Sequence, residues 1–222
     1  MVAKRERAGK PTGIFGPRIP DDLAIVSREA FSGELRSAAA VDSALNPTDG
    51  HLLVDGARFT RCDFGESRIS RVAIGDAALV GCNLANTHWG RAAMTRVEFQ
   101  DCQMTGFDVN GATLLDVQFC RCKLSLSSFR FLTKAKVLFA DCEMDGTDFQ
   151  GVDLRRCRFH SCRLTGSLFH EACTDGVDLR GSTLDGLQGL GGLRGAVIDR
   201  LQQLDLTDAL ASYAGLVVRD SD

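Results

Sequence analysis

Large apolar residues recur at every fifth position through most of this chain of 222 residues. From Leu52 to Gly186 the chain divides into 27 consecutive five-residue units, and 25 of the 27 middle residues, here called centres, are large and apolar. Only Lys134 and Thr174 break this rule. The residue two before the centre is Ala, Cys, Ser, Thr or Val in 24 units, and the other three positions are mostly polar, charged or Gly.

A period of five fits neither an α-helix nor a flat strand. On a helix, five residues advance by about 140°, so the centres would spread around the cylinder. On a strand the side chains alternate, so successive centres would point to opposite faces. The pattern instead predicts that each unit forms one side of a coil and then turns a corner. The centre and the residue two before it point inward, and the other three face water.

A second period of 20 residues predicts the shape of the coil. Six cysteines follow one another at this spacing, namely Cys62, Cys82, Cys102, Cys122, Cys142 and Cys162. Phe99, Phe119, Phe139 and Phe159 form a second such series. Twenty residues make four units, so each coil is predicted to be square, with like residues stacked on like.

Several units carry a known consensus. The units that begin at Cys82, Thr147, Val152 and Val177 read CNLAN, TDFQG, VDLRR and VDLRG. They resemble the pentapeptide-repeat family, whose motif is A(D/N)LXX. The resemblance implies an all-β chain, a right-handed quadrilateral parallel β-helix built as a pentapeptide-repeat solenoid. With about 4.8 Å between stacked strands, 27 units predict nearly seven coils and a rod of roughly 30 Å.

The segments around the repeats differ in composition. All four prolines precede the repeats, as expected if every backbone N–H inside the coils is needed for the ladder. Residues 1–20 are predicted to be a disordered basic leader. Residues 21–51 contain Phe31, Leu35 and Val41 without clear order, and they are predicted to form an irregular cap or a degenerate first coil. Residues 52–186 are predicted to form the pentapeptide-repeat β-helix, and 187–222 a C-terminal helical cap and dimerisation module.

The C-terminal segment is too apolar for a free tail. Thr207 is predicted to cap a short helix that Gly215 ends. The segment resembles the C-terminal module of the quinolone-resistance group of pentapeptide-repeat proteins, on Leu193, Arg194, Gly195, Ile198, Asp199, Gln202 and Gly215 to Val217. That resemblance implies a homodimer, with Leu201, Leu204, Leu206, Leu210, Tyr213, Leu216 and Val217 as the candidate interface. The alternative is a monomer whose tail only covers the last coil.

No constellation of residues predicts catalysis, a cofactor or a metal site. The six stacked cysteines are interpreted as small core residues, whereas Cys120 and Cys173 are expected to face outward. His88, His160 and His170 fall at outward positions on two faces with no partner at fixed spacing. Because a buried ammonium is costly, we expect the backbone around Lys134 to bulge or its side chain to reach solvent.

The charge pattern bears on the partner. The net charge is −3, and the repeat block holds 17 acidic and 16 basic residues, which argues against direct nucleic-acid binding. One face sums to −3, and its acids are Asp63, Glu66, Glu143, Asp145 and Asp185. The family resemblance implies a role on DNA gyrase as a partial DNA mimic, inhibiting the enzyme or protecting it from quinolone-type poisons. The near-neutral surface favours the alternative, a structural or adaptor scaffold for another protein.

The expected location follows from what the chain lacks. No apolar run is long enough for a membrane span, and no apolar stretch follows the basic N-terminus as in a signal peptide. We therefore expect a cytoplasmic protein without contact to a membrane.

Overall fold

The structure is a computed structural model that describes residues 13–26, 31–45, 50–217 and 219. The strands of the described residues are β1 (Ala24–Ile25), β2 (Glu34–Arg36), β3 (Ala38–Val41), β4 (His51–Thr60), β5 (Arg71–Val80), β6 (Ala93–Gln100), β7 (Thr113–Cys120), β8 (Lys134–Ala140) and β9 (Arg158–His160). A 3-10 helix (Leu190–Leu193) and two helices, α1 (Arg200–Asp205) and α2 (Thr207–Tyr213), follow.

The strands stack in parallel, and each pairs with its counterpart one coil later. Their order is β1-β3-β4-β5-β6-β7-β8-β9, with β2 also paired to β4. The register between β4 and β5 joins Val54 to Ile74, and that between β6 and β7 joins Phe99 to Phe119. Both pairs lie 20 residues apart, so the predicted four-unit coil is confirmed.

The four faces of the coil are named here by their centres. Face A holds Phe64, Leu84, Met104, Leu124, Met144, Leu164 and Leu184; face B holds Ile69, Trp89, Val109, Phe129, Phe149 and Phe169; face C holds Val54, Ile74, Met94, Leu114, Leu154 and Thr174; face D holds Phe59, Leu79, Phe99, Phe119, Phe139, Phe159 and Leu179. Strands β4 to β8 bend across faces C and D, whereas faces A and B are joined by isolated parallel bridges between turns.

The interior is a column of stacked side chains. Phe99 and Phe119 are fully buried, and their rings lie parallel with centroids 4.8 Å apart. The ring of Phe119 also meets that of Phe129 edge-on at 5.8 Å, so the aromatic columns of faces B and D touch across the core. Offset-stacked and edge-to-face contacts are the two arrangements that aromatic rings prefer. The rings of opposite faces therefore fill the interior of the coil.

The small inward residues satisfy backbone carbonyls. Ser127 donates its hydroxyl to the carbonyl of Met104 at 2.9 Å, and Thr147 donates to that of Leu124 at 3.0 Å. Cys142 donates its thiol to the carbonyl of Phe119 at 3.3 Å. Each donor lies 23 residues after its acceptor. Small Ser, Thr and Cys side chains therefore fit both the space and the hydrogen bonding of this inward position.

Lys134 is accommodated by a bulge, as predicted. The register shifts between Leu115 and Val117, so that Leu114 pairs with Ala135 rather than with Lys134. Ala135 is buried at the inward position and Lys134 is exposed. The chain thus avoids burying an ammonium. The other irregular centre, Thr174, stays buried because its hydroxyl is bonded.

A degenerate coil precedes the repeats. Leu35, Ala40 and Leu45 point inward at a spacing of five, and Leu35 and Ala40 pair with Val54 and Phe59. Val41 is exposed, so it lies outside the interior of this coil. The small side chain of Ala40 concealed the period in the sequence.

Residues 13–20 lie along the outer wall of the coils, which corrects the expectation of disorder for this part of 1–20; residues 1–12 lie outside the described residues. Ile14 is buried against Leu138 and Ala140 on the outside of face D. Phe15 N–H donates to an oxygen of Asp116 at 3.3 Å. Further along, Arg18 N–H donates to Asp76 at 2.8 Å. The outward residues of face D are apolar here, so covering them is favourable. We call residues 13–20 the strap.

No helix among the described residues is both long and apolar enough to cross a membrane.

Candidate partner-binding surfaces

The C-terminal module, residues 187–217, closes the last coil. Leu187 and Leu206 are buried in the same core cluster as the repeat centres. Val197 continues the parallel ladder by bridging to Asp178. An open strand edge would otherwise leave backbone groups unpaired and invite another chain to add on. The module therefore begins as a partial coil and then turns into two helices.

Gln202 connects α1 to the coil beneath it. Its buried side-chain amide donates to the carbonyl of Leu179 at 2.7 Å and to that of Ser182 at 2.6 Å. Leu179 precedes Gln202 by 23 residues, which is the spacing of the hydroxyl and thiol bonds in the coils below. Gln202 also lies 20 residues after Ser182, at the next inward position of the cysteine column. The amide therefore continues the pattern of the repeats after the repeats have ended.

The start of α1 is held by a capping box. The carboxylate of Asp199 accepts hydrogen bonds from the backbone N–H groups of Leu201 and Gln202 at 2.9 and 3.0 Å. In return the side-chain oxygen of Gln202 accepts from Asp199 N–H at 2.8 Å. A capping box of this kind satisfies N–H groups that have no partner inside the helix. These bonds orient α1 on the last coil.

The 3-10 helix approaches the coil closely. The buried hydroxyl of Thr174 donates to the carbonyl of Gly192 at 2.8 Å. A Cβ added to Gly192 would meet the carbonyl oxygen of Phe169 at an impossibly short distance. Only glycine fits at this position. Thr174, which breaks the repeat pattern, therefore holds the module on the coil through its hydrogen bond to Gly192.

Helix α2 differs from the prediction at its start and agrees at its end. Thr207 is the first residue of the helix and not its cap; the N-cap is Leu206, without a side-chain hydrogen bond. Because α2 follows α1 after one residue, Thr207 lies in the continuing turn, and its hydroxyl donates to Gln203 carbonyl at 3.3 Å. Gly215, at φ 74°, ends the helix, and Leu216 N–H reaches the carbonyl of Ala211 at 2.9 Å.

The seven candidate interface residues divide into two groups. Leu206 is 4% exposed and belongs to the core, so it is not available to a partner. The six exposed members are Leu201 (73%), Leu204 (64%), Leu210 (43%), Tyr213 (68%), Leu216 (65%) and Val217 (79%). A concentration of exposed apolar side chains on one short segment is typical of an interaction site.

An open hollow of about 560 Å³ lies between α2 and the last coil. His170 and Glu171 line one side of it, and Ser212 and Tyr213 line the other. It lies beside the module rather than inside the coil, whose interior is filled by the centres. The described residues include no cluster of His, Cys, Asp and Glu that could hold a metal ion.

The candidate acidic residues share face A but differ in their surroundings. Asp145 accepts bonds from Arg163 Nε at 2.8 Å, and the same guanidinium lies 3.5 Å from Glu143. Asp63 accepts from the side-chain amide of Asn83 at 2.7 Å. Glu66 and Asp185 are exposed near the two ends of the face. Arg163 therefore offsets the charge in the middle, and the freely acidic positions lie toward the ends.

Seven of the nine thiols are buried in the coils. Burial raises the pKa of Cys157 to about 12 and that of Cys120 to about 11. Cys120 is half-buried against the cluster of Ile14, Leu138 and Ala140, whereas Cys173 is exposed as predicted. His160 and His170 are exposed, and His88 is half-exposed. The structure brings none of these groups together into a catalytic arrangement among the residues it describes.

Comparison with known proteins agrees with this geometry. A family model described as a pentapeptide repeat region matches residues 55–129 and 112–188. The chain belongs to the pentapeptide-repeat family. No curated protein matches it.

Three solved structures illustrate the similarity of this pentapeptide-repeat chain to others. A trypsin-treated variant of QnrB1, a plasmid-mediated fluoroquinolone resistance protein, is 22% identical, with 88% of this chain and 95% of that chain covered and a TM-score of 0.41. Full-length QnrB1 is 18% identical, with 84% and 94% covered and a TM-score of 0.35. HetL, involved in heterocyst differentiation regulation in the cyanobacterium Nostoc sp. strain PCC 7120, is 13% identical, with 77% and 89% covered and a TM-score of 0.32. At these values the similarities carry no argument about function.

Sequence reasoning missed several parts of this pentapeptide-repeat protein. Gln202 was noticed only as part of the C-terminal resemblance, although its position in the 20-residue column predicts an inward side chain. The strap was missed because Ile14 is a single apolar residue in a basic segment. Its signal lay elsewhere, in the apolar outward residues of face D such as Leu138 and Ala140, which need a cover.

Proposed function

We propose that this protein is a non-enzymatic rod that pairs with a second copy through its C-terminal module and binds DNA gyrase or a related topoisomerase. Bound there, it inhibits the enzyme or protects it from quinolone-type poisons. The observation that carries the proposal is the exposed apolar surface of Leu201, Leu204, Leu210, Tyr213, Leu216 and Val217 on a module attached to the last coil.

The support for pairing is energetic and geometric. Burying exposed Leu and Val side chains stabilises an interface by roughly 1.5–3 kcal/mol for each one fully buried. Because the module covers the end of the solenoid, pairing through it joins two coils end to end. A two-fold interface of this kind uses the same patch on both copies and closes on itself, so it ends at the dimer.

The support for a topoisomerase partner comes from shape and charge. A rod with an acidic face presents carboxylates along one side, as duplex DNA presents phosphates. Pairing through the C-terminal module would bring the Asp185 regions of two faces toward the centre of a longer rod. The offset of Asp145 and Glu143 by Arg163 makes this mimicry partial. A partner in DNA topology also places the protein in the cytoplasm.

The charge balance supports one alternative. The repeat block carries nearly equal numbers of acids and bases, and many of them form ion pairs along the corners, as Arg121 does with Asp101 at 2.7 Å. Such a surface favours a structural or adaptor scaffold that binds another protein and has no role in DNA topology. Under this alternative, the C-terminal module still pairs the chains, but gyrase is not affected.

The two proposals are separated by supercoiling assays with purified gyrase, with and without a fluoroquinolone. We expect the full chain at about micromolar concentration, corresponding to roughly 8 kcal/mol of binding free energy, to inhibit supercoiling or to reduce drug-induced cleavage. The double variant Leu201→Ser, Leu204→Ser should lose the effect. Arg58→Ser, an exposed change outside face A and far from the module, should retain it. No effect of the wild-type chain in either assay would reject the topoisomerase role.

A further inference from the structure

The longest stretch of the repeats without an acid lies in the middle of the rod. Residues 117–140 hold five cations and no Asp or Glu. The cations are Arg121, Lys123, Arg130, Lys134 and Lys136. We call residues 117–140 the basic band. It makes just over one complete coil in the middle of the rod.

The cations of the band differ in their partners. Arg121 pairs with Asp101 at 2.7 Å and Lys136 with Asp116 at 2.5 Å, both in the coil below. The guanidinium of Arg130 lies 3.6 Å from Asp148 in the coil above.

Two lysines remain. Among the described residues Lys123 and Lys134 form no ion pair, and the nearest acid above Lys123, Glu143, is already paired with Arg163 at 3.5 Å. Two ammonium groups are thus free to meet an anion from outside the chain.

Two exposed apolar side chains lie at the corners of the same band. Leu126 is 70% exposed and Phe131 is 50% exposed, and they stand at the two ends of face B. Their φ angles are 59° and 53°, in the left-handed region that bulky residues rarely adopt. One coil away, the equivalent corners are Gly106 and Gly146 for Leu126, and Gly111 and Gly151 for Phe131. The backbone therefore favours glycine at both corners.

The glycines of the next coil make room for these side chains. A Cβ on Gly146 would lie 2.9 Å from a terminal methyl of Leu126, and one on Gly151 would lie 2.5 Å from the ring of Phe131. Leu126 and Phe131 thus rest on the coil above rather than extending freely into water. The guanidinium of Arg130 lies 5.2 Å from the centroid of the Phe131 ring. Side chains held in this way lose little freedom when a partner covers them.

We propose that face B of the basic band binds a protein segment that carries apolar side chains flanked by carboxylates. Leu126 and Phe131 supply two apolar contacts at the corners, and Lys123 and Lys134 lie just beyond them on faces A and C. Apolar and aromatic anchors surrounded by complementary charge are the arrangement that gives both affinity and orientation at interfaces. The strap lies on the opposite wall, face D, and the described residues leave Leu126 and Phe131 exposed on face B.

The charges decide against a second copy as the occupant. In a two-fold interface the same patch meets itself, so Lys123 and Lys134 of each copy would face a band without any acid. Like charges brought together in this way oppose association. The proposal is also independent of the gyrase role, because it uses neither the acidic residues of face A nor the exposed leucines of the C-terminal module.

The test is a selection from a phage-displayed random peptide library on the immobilised full chain. The comparison protein is the double variant Leu126→Asn, Phe131→Gly. Asn86 occupies the corner column of Leu126, and Gly111 and Gly151 occupy that of Phe131, so the variant should fold and melt no lower than the wild type. The expected enrichment is for peptides that combine Asp or Glu with Leu, Phe or Trp. A synthetic copy of such a peptide should bind the wild type about tenfold or more tighter than the variant.

Two further proteins complete the design. Lys123→Glu, Lys134→Glu should also weaken binding of the peptide, whereas Leu201→Ser, Leu204→Ser, which removes a different apolar surface, should bind it like the wild type. The proposal is overturned if nothing is enriched, if the peptides lack the acidic and apolar combination, or if they bind the first variant equally well. It is also overturned if that variant changes only the mass of the chain in light scattering, or only its binding of a DNA oligonucleotide, because those results identify a second copy or nucleic acid as the occupant.

Discussion

Replacing Phe119 by alanine should remove one ring from the middle of the aromatic column. Phe119 is fully buried, stacked between Phe99 at 4.8 Å and Phe139 at 5.3 Å, and edge-on to Phe129 at 5.8 Å. Emptying a buried phenylalanine site costs about 3–5 kcal/mol. Each aromatic pair adds about 0.5–1.5 kcal/mol beyond the buried area. Because three rings lose a partner at once, we expect a loss of unfolding free energy near the upper end, about 5 kcal/mol.

Urea unfolding followed by tryptophan fluorescence measures this loss. Trp89 is the only tryptophan and is fully buried, so its emission reports on the same core. Phe119→Leu, which keeps most of the side-chain volume, should lower the unfolding free energy by about 1.5 kcal/mol or less and serves as the milder substitution for comparison. Phe131→Ala is the matched control, because this phenylalanine is half exposed, and it should change stability by less than about 1 kcal/mol. If Phe119→Ala cost no more than Phe131→Ala, the stacked interior described here would be wrong.

Four other changes test separate parts of the structure. Gln202→Leu leaves the carbonyls of Leu179 and Ser182 without their donor and should lower unfolding free energy by about 1–3 kcal/mol in urea unfolding, whereas exposed Gln203→Leu should have no such effect. Leu126→Asn removes a bulky side chain from a residue in the left-handed backbone region and should raise the unfolding free energy by about 1 kcal/mol. A lower unfolding free energy would show that the Leu126 side chain stabilises the fold. The hydrogen bond from Arg96 holds the pKa of Asp76 below its ordinary value of 3.8, so the ionised carboxylate stabilises the fold above that pH and stops doing so as pH falls through the lower folded pKa. The difference in unfolding free energy between the wild type and Asp76→Asn should therefore shrink in acid titrations. A difference that stays constant would contradict the ion pair. A thiol reagent at neutral pH should label Cys173 rapidly and the buried column only on unfolding, and Cys173→Ser should abolish the rapid phase; rapid labelling of several thiols in that variant would contradict the closed core.

Much of the fold was predictable because inward and outward directions repeat locally in every unit. The centre Phe119 and its neighbours at intervals of 20 residues lie where the pattern placed them. The exposure of Lys134 was also predictable, because an ammonium is unfavourable in a narrow apolar interior and is stabilised by solvent. Ala40 was not, because alanine carries too weak an apolar signal to reveal a degenerate coil.

The features that escaped prediction depend on contacts between distant parts of the chain. Ile14 contacts Leu138 although more than half of the sequence separates them, and no local pattern predicts that contact. Leu126 and Phe131 look like ordinary unit ends in the sequence, and only the positive φ and the glycines above them reveal their strain and exposure. Leu206 was assigned to the interface because apolar periodicity does not distinguish the core side of a short helix from its open side.

Pairing of two rods through the C-terminal module is tested most directly by multi-angle light scattering of the purified full chain, beside the Leu201→Ser, Leu204→Ser variant. The account predicts twice the 24.0 kDa mass of one chain for the wild type and a single chain for the variant. A wild-type protein that remains at 24.0 kDa at every concentration, or a variant that still pairs, would contradict it.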